Sequence, residues 1–443
     1  MKAVLLAAGE GKRLRPFFSR PKPLVSLLGL SLIERNILSL RECGIKEFII
    51  ITGYQADVIK RHLGNGKNIG VQIDYYYNSD WELGNGVSAY TLRKNGFEDD
   101  KYILMMADHI FEIEVFKSFI AAVQDLKSNQ VLLAADRRLG KVYDLEECTK
   151  VKGHQDYALK LGKDLQNFDA VDCGLFIGTR ALLDALASSI SKGGYALTDG
   201  VNLLADSLKV KLFYVEGNWV DVDDIDSYKY CEKMLLQSLI PPKDGFISRS
   251  INRKASLRIT KLLTKTAITP NHITLLSFLI AVMSAICFAI VNPIFAGLLA
   301  QLTSILDGVD GEIARLKFLR SNYGGIFDAM LDRYADFLII IGMTYSWYIT
   351  TENHLALWIG AAALTGMPLS MLFKEKYQSL TDKSYIPEIH DGILRYLPAN
   401  RDGRLFIVML GGILNLVPAT LVILAVITHL QALFRLYKAR WII

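Results

Sequence analysis

DGVDGEIARLKFLRSNYGGIFDAMLD, residues 307–332, decides how the rest of the chain is read. The stretch lies in the more hydrophobic half of the sequence, yet it carries Asp307, Asp310, Asp328 and Asp332. Ionisable groups beside membrane-length apolar runs are expensive, so they mark functional sites. Asp307 and Asp310 stand three apart and Asp328 and Asp332 four apart, so on helices each pair projects from one face. Two such faces can converge on a divalent metal. Gly308, Gly311, Ala314 and Gly324 leave the helix surfaces nearly bare for a ligand or a second helix. Arg315 adds a forked cation suited to phosphate. Solvated acids at two helix ends would account for one or two carboxylates near glycine, but poorly for four at this register beside Ala314 and Arg315.

The pattern DxxDGxxAR, eight residues, then GxxxDxxxD resembles the signature of the CDP-alcohol phosphotransferase family. Asp307, Asp310, Gly311, Ala314, Arg315, Gly324, Asp328 and Asp332 match it at every position. The resemblance implies transfer of a phosphate-linked group from a CDP-alcohol to an acceptor hydroxyl, with release of CMP. It also implies that Asp307, Asp310 and Asp328 hold Mg2+ or Mn2+ against the diphosphate, and that Asp310, Gly311 and Arg315 contact the nucleotide. Asp332, counted with the metal set, would be the general base that takes the acceptor's proton.

Outward from this stretch, apolar runs crowd after Thr269 and give six candidate spans: about 273–291, 294–313, 325–349, 355–373, 403–416 and 418–434. Most approach the roughly 20 residues that cross a bilayer. The connections Val291 to Pro293, Thr350 to His354 and Leu414 to Pro418 contain no Lys or Arg, whereas the others hold Arg315, Lys317, Arg320, Lys374, Lys376, Lys383, Arg395, Arg401 and Arg404. That asymmetry predicts a multi-pass protein of the cell membrane with both termini and the four acids on the cytoplasmic side. Arg395, Arg401 and Arg404 precede the fifth span and are candidates to line a pocket for a phosphorylated acceptor, although the same topology would itself put arginines there. Upstream, residues 236–268 read as a Pro- and Gly-broken linker followed by a basic helix. Phe246, Ile247, Ile251, Ala255, Ile259, Leu262 and Leu263 lie on one side among Arg249, Arg253, Lys254, Arg258 and Lys261, as for a helix in the membrane interface.

Residues 1–235 read differently, as an α/β domain with a doubly wound, mostly parallel sheet of Rossmann type. The apolar run 3–8 is followed at once by Gly9-Glu10-Gly11-Lys12-Arg13, the order in which such folds offer backbone N–H groups and cations to phosphate. Strands over 47–53, 71–77 and 102–108 alternate with helices near 32–43, 56–63 and from about 86. Ligands then bind at the carboxyl ends of the strands, where Gly9 to Arg13, Gly53 and Asp108 fall. The opening MKAVLLAAGEGKRLRP reads as a strand, not a signal peptide. Five scattered cysteines with no CxxC pair are expected to be reduced thiols.

LAAGEGKRLRP followed by PKPLVSLLGLSLIE resembles the sugar-1-phosphate nucleotidyltransferases. The resemblance implies that Ala7, Gly9, Gly11 and Arg13 cradle the nucleotide, and that Arg13 and Lys22 act on the triphosphate and the attacked α-phosphorus. It makes Asp108 and Asp221, in Trp219-Val220-Asp221, the metal ligands. Asn78 and Gly86 are candidates for the base edge. Asn85-Gly86-Val87-Ser88-Ala89 stands where many relatives have a Gly-Thr-Ala-like turn. Lys141, Lys150 and Lys160 are candidates for the acceptor phosphate and equally readable as solvated surface lysines. Asp172, in Asp172-Cys173-Gly174 at the end of a strand pair, is a candidate for substrate hydroxyls. Because a phosphomonoester nucleophile is already ionised, the chemistry needs cations and a carboxylate-held metal, and no Ser/His/Asp arrangement.

One half thus looks able to make an NDP-alcohol and the other to consume a CDP-alcohol, so CTP is the economical nucleotide. Fusion in this order resembles the archaeal and thermophile bifunctional family that joins inositol-1-phosphate cytidylyltransferase to di-myo-inositol-phosphate-phosphate synthase. The resemblance implies CTP, inositol 1-phosphate and CDP-inositol as substrates, a solute as the end product, and a homodimer through the membrane domain. The partners expected are the bilayer and these small molecules. The net charge of +5 is modest, and no nucleic acid is expected. Two other readings stand beside this one: activation of a different alcohol phosphate followed by transfer to a lipid acceptor, and loss of chemistry in one half, leaving an anchor or regulatory module.

Overall fold

The computed structural model describes residues 1–241, 247–392, 394 and 397–442. The chain divides into two compact units, Met1–Leu235 and Leu236–Ile443.

The strands of the first unit are β1 (Ala3–Ala7), β2 (Ser26–Leu27), β3 (Leu30–Ser31), β4 (Glu47–Thr52), β5 (Gln72–Tyr77), β6 (Lys101–Met106), β7 (His109–Phe111), β8 (Val131–Asp136), β9 (Lys150–His154), β10 (Tyr157–Gly162), β11 (Ala170–Thr179), β12 (Val210–Tyr214) and β13 (Trp219–Asp221). Among them run α1 (Leu32–Glu42), α2 (Ala56–Leu63), α3 (Asn85–Lys94), α4 (Ile113–Ala121), α5 (Arg180–Ser191), α6 (Leu197–Ala205) and α7 (Ile225–Gln237). In β1, Ala3, Leu5 and Ala7 join one buried cluster while Val4 and Leu6 join another, so the strand is packed on both faces. Such a strand needs a continuous apolar run, and AVLLA supplies it. A Ser31/Glu34 capping box fixes the start of α1 and so ends the Pro-rich turn that carries Lys22.

The described residues build a nine-stranded sheet in the order β5-β4-β1-β6-β11-β8-β12-β10-β9. β5, β4, β1 and β6 are parallel, as the alternation predicts, and β8 and β12 form a second parallel pair. The expectation of a mostly parallel sheet is corrected beyond them. β11 runs antiparallel to both β6 and β8, and β9 and β10 form an antiparallel hairpin. Gln155 and Asp156, both at positive φ, make the tight two-residue turn that reverses the chain there. Asp172 lies inside β11, not at the end of a strand pair. The register of β11 shifts between Asp172 and Phe176, around Gly174 at φ +69°. Such an irregularity re-aims side chains beside it.

The second unit is helical: α8 (Arg253–Leu263), α9 (Pro270–Ala289), α10 (Pro293–Leu316), α11 (Asn322–Thr351), α12 (Leu355–Thr381), α13 (Pro387–His390), α14 (Arg401–Ile413) and α15 (Val417–Ile442). Among the described residues four helices are long and apolar enough to cross a membrane: α9, α10, α12 and Val417–Trp441 of α15. The stretch 325–349 lies in α11, which has 30 residues but carries Asp328, Asp332, Arg333 and Asp336 in its first half. The stretch 403–416 falls on α14, whose 13 residues reach only about 20 Å. Phe246, the first residue of the expected amphipathic helix, lies outside the described residues. In α8 itself, Ile259 and Leu263 pack partly against Ile273, Leu306, Val309 and Ile313, while Ser256 and Thr260 are fully buried. Leu262 stays 68% exposed. The helix therefore spends its hydroxyl stripe on the protein and leaves apolar surface outside.

Helices in this unit approach through small residues. A Cβ on Gly342 of α11 would collide with the Ala285 carbonyl oxygen of α9. Overpacking of this kind costs about 1–3 kcal/mol. Gly342→Val is therefore expected to lower the thermal midpoint of the detergent-solubilised protein by about 3–10 °C, read by circular dichroism.

Candidate active sites

In the first unit the chain leaves β1 through a glycine loop that lies over Lys22. Gly11 sits at φ +63°, and a Cβ there would collide with the Lys22 side chain. Only glycine lets the loop close on the lysine. Lys22, 8% exposed, places Nζ 2.5 Å from Asp108 Oδ2, in contact with Asp223 Oδ1 and 3.7 Å from Asp221 Oδ1. Asp108 follows β6, and β13 pairs with β7 so that Asp221 faces His109. His109 Nδ1 lies 2.9 Å from Asp108 Oδ1 and 3.6 Å from Asp221 Oδ1. Ligand atoms of Asp108, His109 and Asp221 all fall within 4.8 Å of one another.

Confinement sets the charges of this cluster. Burial works against the Lys22 ammonium, but Asp108, Asp221 and Asp223 overcome it and hold its pKa above the ordinary lysine value. Burial likewise opposes charge on Asp108, but Lys22 and His109 hold its carboxyl well below the usual range. Asp221 is pushed up to about 6 by burial, helped by the charge of Asp108. His109, despite burial, is held up to about 9 by Asp221 and Asp108. Burial also lifts Asp172 to about 6.

A pocket opens beside this cluster, lined by Arg13, Asn85, His109, Glu147, Lys163, Asp172 and Asp221 among others. Arg13 reaches Glu147 at 3.5 Å and Asp223 at 3.8 Å. Of the residues read from sequence, the structure brings Arg13, Lys22, Asp108, Asp172 and Asp221 together, with Ala7 buried at the end of β1 and Gly9 in the loop above. Asn78, Gly86 and Lys150 are not among the described residues that line the pocket. Asn78 is buried and donates to Ser88 Oγ; Gly86 packs where a Cβ would collide with the backbone of Tyr195 and Ala196; Lys150 Nζ donates to the Glu146 carbonyl. Asn85 and Lys163 take their places in the lining.

Beneath the pocket lies a network with no prior signal in the sequence. Asp136, at the end of β8, is 1% exposed, accepts from the Trp219 indole at 3.0 Å and binds Arg138 in a fork. Trp219 in turn stacks on His109. Asp136 thereby fixes the strand that carries Asp221.

In the second unit α10 supplies Asp307 and Asp310, and α11 supplies Asp328 and Asp332, across the turn capped by Ser321. Ligand atoms of Asp307, Asp328 and Asp332 fall within 4.8 Å of one another. Asp310 stands beside them, accepting from Thr274 Oγ1 at 2.5 Å and from the Gly311 amide. A pocket over the acids is lined by Ser248, Asn252, Arg253, Ser256, Ser304, Asp307, Gly308, Asp310, Gly311, Arg315, Asp328 and Asp402.

Arg401 ties the two acidic helices together: its Nη1 lies 2.6 Å from Asp307 and 2.9 Å from Asp332, and its Nε 3.2 Å from Asp336. Arg404 is placed otherwise than expected. It is 3% exposed and committed to Asp336 at 2.8 Å and to the Ala399 carbonyl, a buried pair that anchors α14 to α11. Arg395 lies outside the described residues. Asp336 continues the four-residue ladder of Asp328 and Asp332, so a search extended by one turn finds it. His109 and Asp223, by contrast, are legible only as neighbours of Asp108 and Asp221.

Both clusters fit a divalent cation. Asp221 Oδ1 and Asp328 Oδ1 are buried without a hydrogen-bond partner among the described residues, as suits oxygens that bind an ion.

Two family models match the chain: Nucleotidyl transferase over residues 2–142 and CDP-alcohol phosphatidyltransferase over residues 267–433. The chain is 33% identical over 439 residues to the "Bifunctional IPC transferase and DIPP synthase" of Aquifex aeolicus, covering 98% of this chain and 97% of that one. It is 32% identical over 451 aligned positions to the protein of the same name from Thermococcus kodakarensis, covering 98% and 96%. The chain belongs to the bifunctional IPC transferase and DIPP synthase family. A solved inositol-1-phosphate CTP transferase from T. maritima is 25% identical with a TM-score of 0.46, covering 53% of this chain and 95% of that one. As a member of the family the chain is an enzyme of two parts, a nucleotidyltransferase and a CDP-alcohol phosphotransferase. The first model ends before Asp172 and Asp221, and the second takes in all four clustered acids.

Two predictions arise from these contacts. Asp136→Ala leaves the Arg138 charge and the Trp219 indole without their partner. It is expected to destabilise the protein by about 3–5 kcal/mol in denaturant titration followed by tryptophan fluorescence. Arg401→Ala leaves Asp307, Asp332 and Asp336 short of a cation. The variant is expected to lose thermal stability in a chelator and regain most of it in millimolar Mg2+, whereas the wild type shows a smaller difference.

Proposed function

We propose that the chain makes CDP-inositol from CTP and inositol 1-phosphate, then joins that CDP-inositol to a second inositol 1-phosphate. In the first step a phosphate oxygen of inositol 1-phosphate attacks the α-phosphorus of CTP, and the bond to the β-phosphate breaks to release pyrophosphate. Arg13 and Lys22 hold the triphosphate and offset the repulsion between two polyanions. In the second step a hydroxyl of the acceptor attacks the phosphorus that bears inositol, the diphosphate bridge breaks and CMP leaves. Asp332 takes the hydroxyl proton. The product is a phosphorylated di-inositol phosphodiester, and a separate phosphatase must yield the final solute.

Asp108 and Asp221 would hold a divalent ion in the first site. Asp307, Asp310 and Asp328, with Asp332, would do so in the second. The ion, Mg2+ or Mn2+, supplies positive charge against the diphosphate oxygens when bound. Asp310, Gly311 and Arg315 are assigned to the nucleotide of the second step, and Arg401 to the acceptor phosphate. Lys163 and Asp172 are assigned to inositol 1-phosphate in the first. We further propose a six-helix membrane domain in which α11 and α14 complete the four apolar helices. It is a homodimer, with both termini and both sites cytoplasmic.

The observation that carries this reading is the presence, on one chain that matches its relatives end to end, of two acidic clusters, each with a buried carboxylate oxygen that has no hydrogen-bond partner among the described residues. A lipid acceptor is disfavoured by the pocket over the second cluster. Its Ser248, Asn252, Ser304 and Asp402 offer hydroxyls, amide and carboxylate suited to a polyol.

The test is phosphorus NMR of the purified protein in detergent with Mg2+, CTP and inositol 1-phosphate. CDP-inositol is expected to appear first and to give way to a phosphodiester with a terminal phosphomonoester, plus CMP. Asp108→Ala should cut pyrophosphate release at least about a hundredfold, and Asp332→Ala should cut only CMP release to that degree. CDP-inositol that accumulates unused in the wild type would count against the soluble acceptor. Asp172, lifted to about 6, accepts hydrogen bonds from inositol hydroxyls most strongly, and through both oxygens, when it is ionised. The kcat/KM of the first step for inositol 1-phosphate should therefore fall as pH drops through about 6, where Asp221 gains a proton as well, and Asp172→Asn should make that fall shallower without abolishing it.

A further inference from the structure

The first acidic cluster contains a donor that the two steps above leave unused. His109 follows Asp108 directly, and the pairing of β7 with β13 sets it opposite Asp221. Its ring is held from two sides. Trp219 stacks nearly parallel, with centroids 6.0 Å apart and planes inclined by 14°, and Trp219 is itself fixed by Asp136. Gly174, at the irregularity in β11, leaves room for the ring edge: a Cβ there would lie 2.7 Å from both Cδ2 and Nε2. Held this way, Nδ1 faces the carboxylates, 2.9 Å from Asp108 Oδ1 and 3.6 Å from Asp221 Oδ1. Neighbouring ligands around an octahedral ion at about 2.1 Å lie about 3 Å apart, so these separations suit one shared cation. Asp221 Oδ1 is buried without a hydrogen-bond partner among the described residues, and Lys22 has Asp223 as a further carboxylate partner outside the trio.

We infer that His109 is a third protein ligand, through Nδ1, of the divalent cation held by Asp108 and Asp221, the ion displacing to solvent the Nδ1 proton that otherwise hydrogen-bonds to Asp108. The inference rests on the cytidylyltransferase reading of that site. A nitrogen donor shifts preference away from Mg2+, which favours oxygen, toward transition divalent ions such as Co2+ or Zn2+. The second cluster, Asp307, Asp328 and Asp332, offers carboxylate oxygen alone. The two sites of one chain therefore rank divalent ions differently.

The test uses the full-length protein in detergent, with histidine labelled with 15N, titrated with Mn2+ alone and examined by pulsed EPR. A directly bound imidazole nitrogen is expected, its coupling changing between 14N and 15N samples, and it is lost in His109→Gln. The affinity of one Mn2+ site should fall at least about tenfold in that variant. Bound Mn2+ with no nitrogen coupling, at whatever stoichiometry, overturns the inference, as does coupling that survives His109→Gln. The labelled wild type alone decides the first point, so a poorly folding variant does not blunt the test. Pyrophosphate release from CTP, measured on the same sample, separates the two readings. Release without nitrogen coupling overturns the ligand assignment alone, and coupling without release for any alcohol phosphate overturns the cytidylyltransferase and keeps the ligand.

Discussion

Crowded carboxylates shape both halves of this chain, and each half depends on a cation that the fold itself delivers to them. Asp108, Asp221 and Asp223 surround the ammonium of Lys22, brought in by the turn that Gly11 permits. Asp307, Asp332 and Asp336 surround the guanidinium of Arg401, brought in at the first turn of α14. Removing one partner from such a cluster leaves an uncompensated charge in a confined place, which is far costlier than never having built it. The architecture around each site can be read as the means of delivering that one cation: a glycine loop in the first unit, and in the second a short helix locked by Arg404 and Asp336.

The two clusters solve the same chemical problem in unlike surroundings. Each must bring polyanions together, and neither needs a strong proton-transfer group for the leaving side, because pyrophosphate and CMP depart as anions. They differ in the nucleophile. A phosphate oxygen is already ionised, so the first site carries no assigned base. A hydroxyl must lose a proton, and in the second site Asp332 is the carboxylate proposed to take it.

Much of this was legible in the sequence because the relevant signals are local. The run AVLLAA before a glycine loop, the three- and four-residue spacing of the acids, and the Ser31/Glu34 cap each report a geometry set by a few consecutive residues. The antiparallel β11 was not legible, since strand direction depends on a long excursion through a hairpin whose turn residues, Gln155 and Asp156, carry no glycine. Arg404 is hard to assign from sequence for a related reason. Lying three residues from Arg401 it shares the same end of the helix and also binds Asp336, and only the packing against α11 decides that Arg401 reaches on to Asp307 and Asp332 while Arg404 is buried against Asp336 and the Ala399 carbonyl. Lys163 carries no local signal that sets it apart from Lys141, Lys150 or Lys160, and it reaches the pocket lining only because the chain turns there after β10.

The bond between α8 and α10 bears on where the second unit can be cut. Glu312, fully buried two residues after Asp310, is bound by Arg253 at 2.6 Å, Ser256 at 2.7 Å and Thr260 at 2.6 Å. All three partners come from the basic helix that precedes residue 267, where the family match begins. A transferase trimmed to that match would strand a buried carboxylate on the helix that also bears Asp307 and Asp310. The basic helix is thus packed as part of the second unit, and a fragment meant to keep that unit intact has to include Arg253 to Thr260.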